Sequence, residues 1–147
     1  MNTIEHTMTW RVEFRPAIPL AMVPMHKELR VRGVYFILEG PQDGPHNPQA
    51  EHVIYIGKAI AQTIHKRGCI HLDTMTDARR ANGNAKTGNS RAFKAYRTQA
   101  EFDHRRLWFV AGEMNPNQPW LISCAEGFLI HEFERRHGRK PKCNTNA

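Results

Sequence analysis

The chain has 147 residues, of which 40% are hydrophobic and 24% charged, and its formal net charge is +7. These values fit one globular domain and argue against a multidomain, disordered or fibrous protein. Its apolar runs are far shorter than the ~20 residues of a membrane span, and no secretory signal opens the chain, so we expect a soluble, cytoplasmic protein without a membrane partner.

The first 30 residues are predicted to form an N-terminal extension (1–30) laid against a main domain (31–147). Within it, Thr9–Arg15 alternates apolar and polar residues, which predicts a half-buried strand. Three prolines between Pro16 and Met25 then favour an extended connector.

Two strand patterns follow the extension. Val31–Glu39 and His52–Ile56 are rich in branched and aromatic residues, which is typical of buried strands. Between them, Gly40–Pro48 contains several prolines and glycines. We therefore expect a hairpin with a long loop, whose second strand ends at Gly57.

The middle of the chain has helical patterns. Lys58–Leu72 has apolar residues at helical spacing, and Gly68 inside it predicts a kink. Ala81–Ser90 is small and polar, which indicates a mobile loop, and Arg91–Phe102 resembles a short basic helix.

The last third predicts one more strand and one long helix. Arg106–Ala111 reads as the third core strand. Pro119 suits the first turn of a helix, which continues through Trp120–Arg136 and stops at Gly138.

Positive charge is concentrated in one third of the chain. Residues 58–106 contain eleven basic and four acidic residues, whereas basic and acidic residues cancel elsewhere. A polyanionic partner such as nucleic acid is the natural interpretation, and a basic surface that only aids solubility is the alternative. The candidate nucleic-acid-binding residues are Lys58, Lys66, Arg79, Arg80, Lys86, Arg91, Lys94 and Arg97.

One carboxylate lies on or beside the apolar stripe of the last predicted helix. Glu126 follows Ile122 by four residues and precedes Leu129 by three. An ionised carboxylate buried there needs a cation, a hydrogen-bond network or a raised pKa, so either a metal ion or a surface arginine is a suitable partner. By contrast, Glu132 has arginines three and four residues later, the layout of a solvated ion-pair face.

Four further side chains converge if the strand pair and the helix form. Tyr35 and Tyr55 lie on neighbouring predicted strands, where tyrosines are most often packing residues. The helix that follows presents Arg67 and His71, a permanent cation and a titratable base, on one face.

The sequences G-V-Y-F-I at 33–37 and I-Y-I-G-K-A at 54–59 resemble the two motif halves of the GIY-YIG nucleases. The match extends over residues 33–144, because a helix arginine, a later glutamate and a final asparagine occur in the family's order. The resemblance implies an α/β (α+β) domain with a small three-stranded antiparallel sheet flanked by helices, to which the extension can add a strand. It also implies DNA cleavage with Mg²⁺ or Mn²⁺.

The resemblance places the family's functional positions on Tyr35, Tyr55, Arg67, His71, Glu126 and Asn144, with Glu126 as metal ligand. Three spacings depart from the family. The tyrosines are further apart than usual, which an insertion in the Pro/Gly loop explains, and Arg67 lies slightly late. The stretch from Glu126 to Asn144 is also long. Glu132 fits that spacing better and is the fallback, although the family's apolar pattern follows Glu126.

The chemistry of phosphodiester hydrolysis suggests one role for each residue. Glu126 would hold the metal and Arg67 would contact the scissile phosphate. Tyr35, or else Tyr55, would take a proton from the attacking water, provided that a neighbouring cation lowers its pKa, and His71 is the rival base. The resemblance leaves Asn144 an orienting role.

We therefore expect a metal-dependent endonuclease acting on DNA, with double-stranded DNA favoured. A restriction-type enzyme or a stand-alone phage or mobile-element nuclease fits best, and an enzyme that cuts both strands of a symmetric site would act as a homodimer. The alternatives are a degenerate nucleic-acid-binding module on the same scaffold and a nuclease toxin.

Overall fold

The computed structural model describes residues 2–40, 47–87 and 90–144, which form an α+β fold with an antiparallel sheet. The strands are β1 (Glu13–Phe14), β2 (Ile18–Pro19), β3 (Gly33–Glu39), β4 (Val53–Ala59) and β5 (Leu107–Glu113). The α-helices are α1 (Ile64–Met75), α2 (Arg91–Arg97) and α3 (Pro119–His137). Short 3₁₀ helices cover Leu20–Met25, Lys27–Leu29, His104–Arg106 and Lys142–Asn144.

The three predicted core strands are confirmed, and β3 lies between the other two. The strand order is β1-β5-β3-β4, and β2 also pairs with β5. The sheet is larger than the predicted three strands, because the extension adds two strands of two residues each rather than one. The strand β4 ends the order, so its outer edge has no strand partner within the described residues.

Two predicted boundaries around β4 and α1 are wrong. The strand continues past Gly57 to Ala59, because residues 57–59 remain paired with residues 33–35 of β3. The helix therefore begins only at Ile64, where Thr63 accepts a hydrogen bond from the backbone N–H of Lys66. A helical start at Lys58 would have broken the strand pairing.

Each face of the sheet has its own core. The face with Val34 and Phe36 packs against α3 and the first part of the extension. The opposite face, with Ile37 and Phe109, packs against α1, α2 and the later part of the extension. Leu20 of the extension is fully buried there.

Gly68 is a close-packing position rather than the predicted kink. The helix α1 is continuous through it. A Cβ atom at Gly68 would lie 2.8 Å from Val23 and 3.2 Å from Phe109. The glycine therefore lets the extension and the sheet approach the helix closely.

Several loop predictions are corrected. The segment Pro16–Met25 is not fully extended, since its second half forms a 3₁₀ helix, and the basic helix predicted for Arg91–Phe102 ends at Arg97. Most of the predicted loop Gly40–Pro48 (residues 41–46), and residues 88 and 89 of the loop Ala81–Ser90, lie outside the described residues.

The last helix forms as the sequence predicts. Pro119 occupies its first turn, and Gly138 follows its end with a φ of 71°, a left-handed conformation that glycine adopts without strain. None of the helices in the described ranges is both long enough and apolar enough to cross a lipid bilayer.

Candidate active site

A cavity of about 600 Å³ lies beside β4 and brings most of the predicted catalytic residues together. Tyr55, Arg67, His71, Glu126 and Asn144 all line it, although they come from β4, α1, α3 and the C-terminal 3₁₀ helix. The cavity wall is formed jointly by β4, the three α-helices and the C-terminal segment.

Tyr35 lies behind the cavity rather than in its wall. Its side chain is fully buried, and its hydroxyl is hydrogen-bonded to Nε2 of His71 at 2.7 Å. The rings of Tyr35 and Tyr55 are 6.1 Å apart, and the Tyr55 hydroxyl also interacts with Tyr35. Tyr35 therefore holds His71 in place, whereas Tyr55 and His71 face the cavity.

Burial determines the protonation of these groups. It lowers the pKa of His71 to about 3, and the nearby charge of Arg67 acts in the same direction, so the imidazole is neutral. Burial also raises the pKa of both Tyr35 and Tyr55, against the opposing charge of Arg67. A tyrosine acting as general base needs a neighbouring cation that lowers its pKa, and here burial outweighs the effect of Arg67 on both tyrosines.

Gly57 is the position that allows the two tyrosines to approach each other. It pairs with Tyr35 across the strands, and a Cβ atom at Gly57 would lie 2.6 Å from ring atoms of both Tyr35 and Tyr55. No side chain fits at that distance. The absence of a side chain at Gly57 therefore leaves the space that the two tyrosine rings occupy above β4.

Arg67 lies on the first turn of α1, which Thr63 caps. Its Nε donates to the Tyr35 hydroxyl at 3.5 Å, and its Nη1 donates to Gln62 at 3.5 Å. Both are long hydrogen bonds, and the side chain is only partly buried. The guanidinium thus keeps donors available for an anion in the cavity.

Glu126 lies on the side of α3 that borders the cavity, as its place beside the apolar stripe predicted. Its side chain is 21% exposed, and Lys58 Nζ is 3.8 Å from Oε1. Burial raises the pKa of the Glu126 carboxyl, although the ammonium of Lys58 acts in the opposite direction. The same ammonium donates to the Ser123 hydroxyl at 3.2 Å.

The fallback residue Glu132 lies elsewhere. It forms a salt bridge with Arg135 three residues later, with an oxygen–nitrogen distance of 2.7 Å, and does not line the cavity. This is the solvated ion pair that the helix spacing predicted. The geometry thus favours Glu126 over Glu132 as a metal ligand.

Glu126 is the carboxylate in the cavity wall, and it could supply one ligand to a magnesium ion. Mg²⁺ usually keeps several waters and binds through one or two carboxylates plus substrate phosphates. Glu126 is a partly buried carboxylate whose neighbouring cation is 3.8 Å away. Among the described residues, no cluster of three or more His, Cys, Asp or Glu side chains could hold a metal ion, so a site at Glu126 would need water and substrate oxygens to complete it.

Asn144 joins the C-terminal segment to the outer edge of β4. Its Oδ1 accepts from the Ile56 N–H, and its Nδ2 donates to the Ile56 carbonyl, both at 2.8 Å. The side chain thus replaces a strand neighbour at one residue of the edge. Both hydrogen bonds go to the backbone of the strand that carries Tyr55.

The predicted nucleic-acid-binding residues divide into an exposed set and a buried residue. The side chain of Arg97 is only 10% exposed, because it contacts Asp77 and donates to the Thr74 carbonyl at 2.8 Å. Arg79 is exposed and also pairs with Asp77, at 2.9 Å. The remaining residues of the set are exposed: Lys58, Lys66, Arg80, Lys86, Arg91 and Lys94.

Sequence reasoning missed several residues of the cavity wall, among them three polar or aromatic side chains. Phe93 of α2 stacks on His71 with ring centres 5.0 Å apart, and Thr74 and Lys140 also line the cavity. The apolar residue in an otherwise basic helix was a signal for Phe93. The sequence offers no comparable signal for Thr74, and Lys140 appears only as part of a basic tail.

Comparison with known proteins identified no relative, because no protein-family model, no curated protein and no solved structure matches this chain.

Proposed function

We propose that the protein is a metal-dependent endonuclease that hydrolyses phosphodiester bonds of DNA, as its resemblance to the GIY-YIG nucleases implies. One observation carries the proposal: Tyr55, Arg67, His71 and Glu126 line a single cavity although they are distributed over more than seventy residues. A phosphate-binding cation, a carboxylate and proton-transfer groups are what in-line phosphodiester hydrolysis requires.

The carboxylate of Glu126 would hold the metal ion. When bound there, a divalent ion would neutralise charge on the phosphate and would make a water molecule more acidic. In the protein without metal and substrate, the ammonium of Lys58 is near enough to offset the negative charge of the Glu126 carboxylate. The Lys58 side chain is 42% exposed. It would be able to turn towards a phosphate once a metal ion neutralises the charge of Glu126.

Arg67 would bind the scissile phosphate. Its planar guanidinium matches two phosphate oxygens, and its present hydrogen bonds are long enough to be exchanged at small cost. A lysine at this position would keep the charge but lose the paired donors.

Tyr55 would take the proton of the attacking water while its own proton moves to Tyr35 and on to His71. The contacts for this path are the interaction between the two tyrosine hydroxyls and the 2.7 Å bond from Tyr35 to His71. The neutral imidazole can accept a proton, and the negative charge of a bound phosphate would raise its pKa from the low value of the free protein. In this path, Tyr35 would position His71 and would pass the proton from Tyr55 to it.

The test is cleavage of supercoiled plasmid by the purified protein with Mg²⁺, beside an EDTA control. Glu126→Gln should lower the cleavage rate at least about a hundredfold, because it removes the ligand charge. Glu132→Gln is the matched control on the same helix, and it should cut like the wild type. Discrete products rather than a smear would indicate a sequence-specific enzyme.

Two results would contradict the proposal. Cleavage that survives EDTA would remove the metal from the mechanism. Absence of cleavage on plasmid, single-stranded DNA and RNA, with salt-sensitive binding retained, would instead support the degenerate binding module.

A further inference from the structure

We infer that residues 78–86 form a rigid β-hairpin that enters the major groove of double-stranded DNA and reads base edges with Arg80 and Asn84. This inference rests on the proposed function, and it names the substrate form and the recognition element.

The sequence predicts a mobile loop over Ala81–Ser90, but the first part of this segment belongs to a short hairpin that covers residues 78–86. Lys86 N donates to the Ala78 carbonyl at 2.9 Å, and Arg80 N donates to the Asn84 carbonyl at 2.7 Å. Between these bonds, Arg79 and Ala85 are paired in antiparallel fashion.

The turn of the hairpin has the geometry of a tight three-residue connection. Gly83 N donates to the Arg80 carbonyl at 2.9 Å. Gly83 itself has a φ of 86°, which is the left-handed conformation that closes such a turn with a bulge. The hairpin is therefore a defined ribbon rather than a loose connection.

Polar contacts fix the base of the hairpin to the helices beside the cavity. The hydroxyls of Thr74 and Thr87 are 2.7 Å apart. Asp77 pairs with Arg79 at 2.9 Å and with the mostly buried Arg97 at 3.4 Å. Since Thr74 also lines the cavity, the hairpin stands at the rim of the candidate active site.

The pairing decides which side chains share a face. In an antiparallel ladder, directly paired residues point to the same side and successive pairs alternate. Arg80 and Asn84 therefore share one face with Lys86, whereas Arg79 lies on the opposite face. Arg79 is held by Asp77, while the three residues of the first face are exposed.

The chemistry of this face matches the edges of base pairs. An arginine binds the two acceptors of guanine in the major groove, and an asparagine binds the donor and acceptor of adenine. Lys86 is one pair further from the turn and suits a backbone phosphate. A B-form major groove is about 12 Å wide and admits a two-stranded ribbon, whereas the A-form groove of duplex RNA is too narrow.

The experiment uses the full-length Glu126→Gln protein, so that binding is measured without cleavage. Preferred sequences are selected from a pool of random duplex DNA, and affinities are then measured for a selected and an unselected duplex. We expect a base preference that Arg80→Ala and Asn84→Ala each reduce by about tenfold at one position. Lys86→Ala should weaken binding to every duplex alike and lower the salt slope by about one.

Arg136→Ala is the matched control, because it removes an equal charge from an exposed position on α3. It should leave the preference unchanged. Duplex RNA of the selected sequence should bind more weakly than the DNA, and the hairpin substitutions should affect it less.

The outcomes separate this inference from the proposed function. A protein that cuts DNA but has no base preference, or that keeps its preference in Arg80→Ala and Asn84→Ala, would overturn the hairpin inference alone. Equal binding of duplex RNA, with equal effects of both substitutions, would also overturn it. A protein that neither binds nor cuts DNA would overturn the proposed function and this inference with it.

Discussion

The residues behind the cavity have protonation states that their burial determines. His71 is neutral over the whole physiological range, and the fully buried Tyr35 supports it through one hydrogen bond. A side chain that looks like a free titratable base in the sequence is therefore part of a buried network. Two predictions concern these residues.

The first prediction is a pH dependence of stability that His71 causes. The unfolded chain binds a proton at this residue below a pKa of 6.5, but the folded protein does so only near a pKa of about 3. Because the unfolded state binds more protons in this window, the free energy of unfolding falls as the pH is lowered through it.

Denaturant unfolding of the wild type and of His71→Gln measures this effect. Between about pH 7 and about pH 5, the wild type should lose about 1–2 kcal/mol more than the variant. Equal losses in the two proteins would show that His71 is not protonated differently in the folded and unfolded states.

The second prediction concerns the glycine between the tyrosines. Gly57→Ala places a Cβ atom 2.6 Å from Tyr35 and Tyr55, so the rings must move apart. We expect a loss of about 1–3 kcal/mol in the free energy of unfolding, together with most of the cleavage activity.

Gly127→Ala is the matched control for Gly57→Ala. A Cβ atom at Gly127, within α3, would meet no atom within 4 Å. That variant should gain about 0.5–1 kcal/mol from helix propensity. If Gly57→Ala were as stable and as active as the control, the close packing of the two tyrosines would not matter for either property.

At the scale of secondary-structure elements, the candidate site depends on the contacts between segments that are distant in sequence. The helix α1 holds Arg67 and His71 in a fixed relation because Thr63 caps its start and the extension packs at Gly68. The C-terminal 3₁₀ helix is hydrogen-bonded to β4 through Asn144, and its Cys143 is buried in the core. This attachment closes one side of the cavity.

The third prediction tests that attachment. Asn144→Ala removes two hydrogen bonds to Ile56 and leaves its backbone groups without these partners. We expect a loss of about 2–3 kcal/mol in the free energy of unfolding and faster proteolysis of the C-terminal segment. Asn117→Ala, in the exposed turn before α3, should change neither measurement.

At the scale of the whole molecule, the excess positive charge lies in one third of the chain. The basic residues of positions 58–106 carry that excess, and most of the predicted nucleic-acid-binding residues are exposed. Binding to DNA through phosphate contacts releases counterions, so its affinity depends steeply on salt.

The fourth prediction follows from that charge. The affinity of the Glu126→Gln protein for duplex DNA should fall at least about a hundredfold between about 50 and about 200 mM salt. Replacing both Arg91 and Lys94 by alanine should lower the slope of log affinity against log salt by about two. The double alanine variant of Arg135 and Arg136, on α3, is the charge-matched control, and an affinity that hardly changes with salt would contradict the prediction.

The amino-acid sequence by itself determined the three core strands and the long final helix. It also identified five of the residues that line the cavity. These features are local: strand patterns depend on branched and aromatic residues in succession, and the end of α3 depends on Gly138. The preference for Glu126 over Glu132 came from the apolar pattern that follows Glu126, and of the two residues Glu126 is the one in the cavity wall.

Only the tertiary structure decided where β4 ends, which tyrosine reaches the cavity and what the segment after α1 does. Pairing with β3 kept residues 57–59 in the strand against their helical spacing, because the backbone bonds of the sheet outweigh a local pattern. Tyr35 and Tyr55 look alike in the sequence, and they differ because Tyr35 stacks on Phe109 and is fully buried, whereas Tyr55 is only partly buried. Burial and pairing depend on residues far apart in the chain, and no local pattern contains them.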